Sequence, residues 1–158
     1  MVEISYGVAD PEKLRRLTGL ELLRAMIAGE IPAPPMAERL GFLLVEIEEG
    51  RAVFKGEPDA RLLNPLGTVH GGYALTLIDS AAGCAVHSRL PAGTFYTTLE
   101  TKVNFVRAIK PDGAPVRCEG TVLSLGRQIG TAEARLTSVD GTLLAHGTST
   151  LMIFAART

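Results

Sequence analysis

GGYALTLIDSAAGCAVHSRL, residues Gly71 to Leu90, is the stretch on which the reading of this chain turns. It is rich in alanine and leucine, which favour helix, and it is long enough for about five helical turns. Pro91 stops it. The residues are apolar on nearly every face, so the spacing predicts a helix enclosed by protein rather than one lying half in water. Arg89 sits in the last turn, where a cation meets the negative end of the helix dipole. Asp79 has no such excuse, because it falls in the middle.

Downstream of Pro91 the period changes from helical to two. Phe95 to Ala108 alternates, with Phe95, Leu99, Val103 and Phe105 expected on one face. Pro115 to Leu125 follows as a strand. In Gln128 to Val139, Ala132, Ala134 and Leu136 oppose Glu133 and Arg135. Asp140-Gly141 is a tight-turn signal before the last strand, Leu143 to Phe154. Upstream, Phe42 to Glu49 and Arg51 to Glu57 flank Gly50 as a hairpin. Asp59 to Leu66 reads as a loop with a helical turn. Turn-sized connections between long strands predict an antiparallel meander. The expected class is α+β: a long central apolar helix wrapped by a curved antiparallel sheet of about six strands. Those strands are too few to close a barrel in one chain, so two chains are expected to pair edge to edge.

Asp10 and Pro11 cap and open a helix expected to run from Pro11 to Ala28 and to stop at Gly29. Three prolines between Ile31 and Met36 make an irregular connector, and a helical turn is expected at Met36 to Leu40. This divides the chain into residues 1–36, an extra N-terminal helix with its connector, and 37–158, the sheet and the long helix.

With 17 acidic and 16 basic residues in 158, the chain has no net field to draw it to nucleic acid or to an anionic membrane. Asp79 interrupts the longest apolar run, which is too short for a membrane span. Cys84 and Cys118 form no metal or redox motif and read as buried thiols in a reducing compartment. The first ten residues carry no basic, apolar leader. A cytoplasmic protein is expected, with no nucleic-acid and no membrane partner.

A carboxylate in an apolar setting costs several kcal/mol unless it is paired, bonded or put to use. Asp79 is therefore either a structural group bonded to Ser80, Thr98 or Thr101, or a base or nucleophile facing a pocket. The helix start is the second feature. Gly71 and Gly72 leave first-turn amides uncovered by side chains, which suits a polarised carbonyl or a phosphate, or simply makes a glycine turn. His70 is expected to close the loop through a backbone bond, and Asn64 to orient a carbonyl or water or to form the turn. Gly71 and Asp79 are separated by roughly 12 Å of helix rise, too far to serve one reacting carbon. Two antiparallel copies of the helix across a two-fold axis bring one copy's Gly71 to the other's Asp79.

The run Asn64-Pro65-Leu66-Gly67-Thr68-Val69-His70-Gly71-Gly72, followed by Asp79, resembles the hotdog-fold acyl-CoA thioesterases, in particular their phenylacetic-acid-degradation (PaaI-like) and Arthrobacter-type 4-hydroxybenzoyl-CoA branch. The resemblance covers Leu40 to Phe154. It implies that Gly71 is the oxyanion-binding amide and that Asp79 is the catalytic carboxylate from the facing subunit. Asn64 becomes the polar loop residue near the thioester, Gly72 its neighbour, and His70 the support of that loop. Gly83 stands where some members carry a hydroxyl, which leaves Thr97 or Thr98 to orient the attacking water. Thr101 to Arg107 resembles the strand lining the coenzyme groove, with Ala108 in place of the usual proline. Ser124 to Arg127 resembles the segment meeting the nucleotide. Arg107, Gly126 and Arg127 are thus the implied coenzyme A contacts, although each arginine reads equally well as a solvated surface residue.

The implied activity is hydrolysis of an acyl-CoA with an aromatic or short- to medium-chain acyl group. Coenzyme A is part of the substrate, and no separate cofactor or metal is implied. The implied assembly is an obligate homodimer with shared sites, paired again into a tetramer. A hotdog hydratase or dehydratase, a non-catalytic acyl-CoA or fatty-acid binder, and a purely structural domain are the alternatives.

Overall fold

The computed structural model describes residues 4–156. Its elements are α1 (Pro11–Arg16), α2 (Gly19–Ile27), α3 (Pro35–Leu40), β1 (Phe42–Glu48), β2 (Arg51–Gly56), α4 (Gly71–His87), β3 (Thr94–Phe105), β4 (Val116–Leu125), β5 (Ile129–Ser138) and β6 (Leu143–Ala155), with a 3-10 turn at Ala60–Leu62. All six strands pair antiparallel in one sheet of order β1-β2-β4-β5-β6-β3.

Helix α4 lies against this sheet through Leu77, Ile78, Ala81, Ala82, Ala85 and Val86, all buried to completion. Each fully buried leucine or isoleucine contributes roughly 1.5–3 kcal/mol. The small residues bring the helix backbone down onto the strands. A methyl at Gly120 of β4 would collide with the backbone of Ala81 and Ala82. Strand β5 follows the alternation of the sequence: Ala132, Ala134 and Leu136 are buried while Glu133 and Arg135 are exposed.

Four expectations need correction. The sheet does not wrap the helix. Strands β1 and β3 are its two ends and do not meet, so it is an open sheet covering one side of α4. The other side is only partly covered, and Leu75 is 39% exposed. Near-uniform apolarity predicted enclosure, but one chain has only enough strands to cover one face.

The strands also do not form a sequential meander. β3 passes to the far edge and pairs β6, leaving β2 beside β4. The face expected for β3 is broken by an irregularity between Thr98 and Glu100, which reverses the alternation. Leu99 is consequently exposed, while Thr101 and Val103 turn toward the helix side.

Finally, the N-terminal helix is two helices. Leu17 is extended, and Thr18 starts α2 with a reciprocal capping box to Glu21. Gly19 then packs so tightly on the carbonyl of His87 that no side chain fits there. The segment shares one core with the rest of the chain. Leu22, Leu23, Ile31 and Ala37 cluster with Leu77 and Ile78.

Candidate active site

The loop before α4 is folded by its own side chains. The Asn64 carboxamide oxygen accepts from the amides of Leu66 (2.9 Å) and Thr68 (3.2 Å), and its nitrogen donates to the Thr68 hydroxyl (2.9 Å). Asn64 is therefore first a turn former, as the sequence allowed, and its side chain is engaged within the loop. His70 is the N-cap of α4. Its Nδ1 accepts from the Gly72 amide at 2.8 Å, the loop-closing bond expected of it. The Tyr73 amide bonds to the His70 carbonyl. The first-turn amide left without a partner among the described residues is that of Gly71. It lines a cavity of ≈300 Å³ with Asn64, Thr68, Phe105 and Arg107. Phe105 lies across Gly71 so closely that a Cβ there would be 3.1 Å from its ring.

Asp79 sits two turns further along, half-buried, on the side of α4 away from the sheet core. It accepts one hydrogen bond, from the Thr101 hydroxyl at 2.9 Å. Thr101 in turn is 3.0 Å from the Ser149 hydroxyl, and Ser149 donates to the Glu100 carbonyl at 3.1 Å. The Thr101 hydroxyl donates to Oδ1 and fixes the orientation of the Asp79 side chain. Asp79 opens onto a second cavity of ≈280 Å³, shared with Ser80, Cys84, Tyr96 and Thr98 and closed by apolar residues of α2, α3, β1 and β2. Burial pushes the Cys84 thiol up to about 12, against the opposing effect of its bond with Tyr96. Burial likewise holds the Tyr96 phenol well above its ordinary value. Both stay neutral beside Asp79.

The structure sorts the remaining residues. Thr98 joins Asp79 in its cavity, whereas Thr97 is exposed on the opposite face. Gly83 makes room for Tyr96, whose hydroxyl lies 2.6 Å from where a Cβ would stand. Arg107 lines the Gly71 cavity and donates to the Leu143 carbonyl at 3.1 Å. Gly126 and Arg127 lie elsewhere. They follow Leu125, which sits across β5 and β6 from Thr98, whereas Arg107 follows Phe105 at the other end of β3. That is more than ~20 Å along the strands. Tyr96 and Ser149 went unnoticed in sequence. The vacant Gly83 beside an aromatic strand was the only hint for Tyr96, and nothing local marks Ser149. No group of His, Cys, Asp and Glu among the described residues is arranged to hold a metal. Among the described residues, no helix is long and apolar enough to cross a membrane.

Comparison with known proteins bears on this arrangement. The sequence profile of the thioesterase superfamily matches residues 66–145, just over half of the chain. An esterase-type protein of Halobacterium salinarum is 34% identical over 84 residues, 52% of this chain and 54% of its own length, so the match spans about half of that relative. A variant structure of the phenylacetic acid degradation protein PaaI from Thermus thermophilus is 31% identical with a TM-score of 0.68, over 75% of this chain and 97% of that one. A Streptococcus mutans protein bound to acetyl CoA is 26% identical with a TM-score of 0.67, over 75% and 92%. With an open six-stranded antiparallel sheet carrying one long helix, and with Gly71 and Asp79 on that helix, the chain belongs to the hotdog-fold thioesterase superfamily, among the relatives of PaaI.

Proposed function

We propose that this thioesterase hydrolyses acyl-coenzyme A carrying an aromatic or short- to medium-chain acyl group, at a site shared between two copies of the chain. The observation that carries the reading is Asp79, a carboxylate held by one hydroxyl at the edge of a largely apolar cavity. The Gly71 amide of one copy polarises the thioester carbonyl and takes up the negative charge that develops on its oxygen. Asp79 of the other copy either removes a proton from the attacking water or attacks the carbonyl itself, forming an anhydride that water opens. The thiolate of coenzyme A leaves in both routes. Thr98 is placed to orient the water; Thr97 faces away and takes no part.

Geometry supports a shared site. Gly71 and Asp79 open on different cavities of one chain and are ~12 Å apart along the helix axis. Strand β3 offers twelve residues of unpaired sheet edge on which a second copy can add its own β3. Such a two-fold pairing carries Gly126 and Arg127 of one copy toward the Arg107 end of the other, where guanidinium groups suit the coenzyme's phosphates. Two such dimers make the full assembly. The bound acetyl CoA of the Streptococcus mutans relative supports the substrate class, and two unpaired cysteines suit a reducing cytoplasm.

The test is release of free thiol from a panel of acyl-CoAs. Turnover of at least one aromatic or medium-chain member is expected. Saturable binding without thiol release would replace hydrolysis with carriage.

A further inference from the structure

The cavity in front of Asp79 has two unlike sides. Its near side, from α4 and β3, carries all of its polar side chains: Asp79, Ser80, Cys84, Tyr96 and Thr98. Its far side comes largely from residues before β1. Met26 and Ile27 end α2, Ala33 and Pro34 belong to the connector, and Met36 lies in the first turn of α3. No side chain on that far side carries a nitrogen or an oxygen. The superfamily profile begins only at residue 66, and the two structural relatives named above align with three quarters of this chain while using more than nine-tenths of their own. The far wall thus lies before the residues that the superfamily profile matches.

We infer that the N-terminal segment is the specificity wall of the acyl site and that the acyl group it receives is wholly hydrocarbon at its far end. This deepens the proposed function and rests on its assignment of Asp79 to the thioester. A thioester at Asp79 points its acyl tail away from the coenzyme, and the apolar space available to that tail ends on Met26, Ile27 and Met36. A hydroxyl carried into this wall would lose its water and find no partner, so unsubstituted groups are preferred over hydroxylated ones. At ≈280 Å³ the cavity is roughly twice the ~150 Å³ void that holds benzene, which suits an arylacetyl group or a medium-length alkyl chain. Two methionines with flexible, unbranched side chains let the wall adapt to either shape.

The experiment compares acetyl-, hexanoyl-, octanoyl-, phenylacetyl- and 4-hydroxyphenylacetyl-CoA in the full chain and in two variants. Met36 is 53% exposed, so Met36→Trp fills the cavity rim without burying a new group in the core. It should lower the octanoyl-to-acetyl ratio of kcat/KM at least tenfold. Ile27→Ala opens the wall and should raise the same ratio. The unaltered protein should favour phenylacetyl- over 4-hydroxyphenylacetyl-CoA by at least tenfold. An unchanged chain-length ratio in both variants, or equal use of the hydroxylated substrate, overturns the specificity wall while hydrolysis itself still stands. No thiol release from any of the five substrates fails the proposed function instead.

Discussion

The two positions of α4 on which the proposed mechanism rests are built differently, although they are eight residues apart on one helix. The Gly71 position is made by leaving things out: no side chain, His70 occupying the next amide, and a loop folded back by Asn64. The Asp79 position is made by putting a charge in and tying it down through Thr101 and Ser149, residues 22 and 70 positions away in sequence. The Gly71 site is local and built from one continuous loop. The Asp79 site is non-local and exists only when β3, β6 and the N-terminal segment have all docked. In the proposed mechanism neither position completes a hydrolase alone, and each needs its counterpart from a second copy.

Substitutions separate the two. Asp79→Asn removes the carboxylate from its cavity and should lower kcat by about 10²–10⁴-fold with little change in folding, as read by thiol release and thermal melting. Gly71→Ala places a methyl 3.1 Å from the Phe105 ring and crowds the bare amide. A loss of about 10²-fold in kcat is expected, on the scale of one missing oxyanion donor. If Gly71→Ala were fully active, the Gly71 position would be a plain turn and the contrast between the two positions would collapse.

Stability distinguishes the ends of α4 in another way. Burial among Gly19, Phe95 and Tyr96 pushes the His87 imidazole down to about 4 from its ordinary 6.5. The folded state therefore resists protonation that the unfolded state accepts. The contribution of His87 to stability should be whole above pH ~6.5 and be lost, by up to ~3 kcal/mol, as the pH falls from ~6.5 through 4. Denaturant melts should show that decline, and His87→Phe should flatten it.

The smallest expected effect sharpens the Asp79 side. Thr101→Val keeps the shape but removes the proton that holds Oδ1. A drop of about tenfold in kcat with KM nearly constant is expected, since one hydrogen bond to a charged group is worth about 1.5–3 kcal/mol. Thr101→Ser should restore the rate; failure of the hydroxyl to rescue would mean that Thr101 only fills space.

The same local and non-local divide explains what could be read in advance. Helix α4, the hairpin of β1 and β2, and the ends of β4 to β6 are legible because their signals lie within one element. So is the loop from Asn64 to Gly72. The break after Leu17 was also legible in principle, since Thr18 and Glu21 spell a capping box, but the leucine spacing runs straight through it. The open sheet and the place of β3 were not, because strand order is a matter of contacts between distant segments. The irregularity near Leu99 left the sequence unable to choose between Thr97 and Thr98. Tyr96 and Ser149 reach the Asp79 neighbourhood only through packing, and no spacing rule foretells that.

Subunit complementation puts the shared site to the most direct trial. Asp79→Asn and Gly71→Ala chains, each inactive alone, are refolded together so that they assort at random. Hybrid dimers then hold one site with both groups intact, and about a quarter of the unaltered activity should return. A mixture as inactive as its parents, with hybrids shown to form, would contradict a site built from two chains.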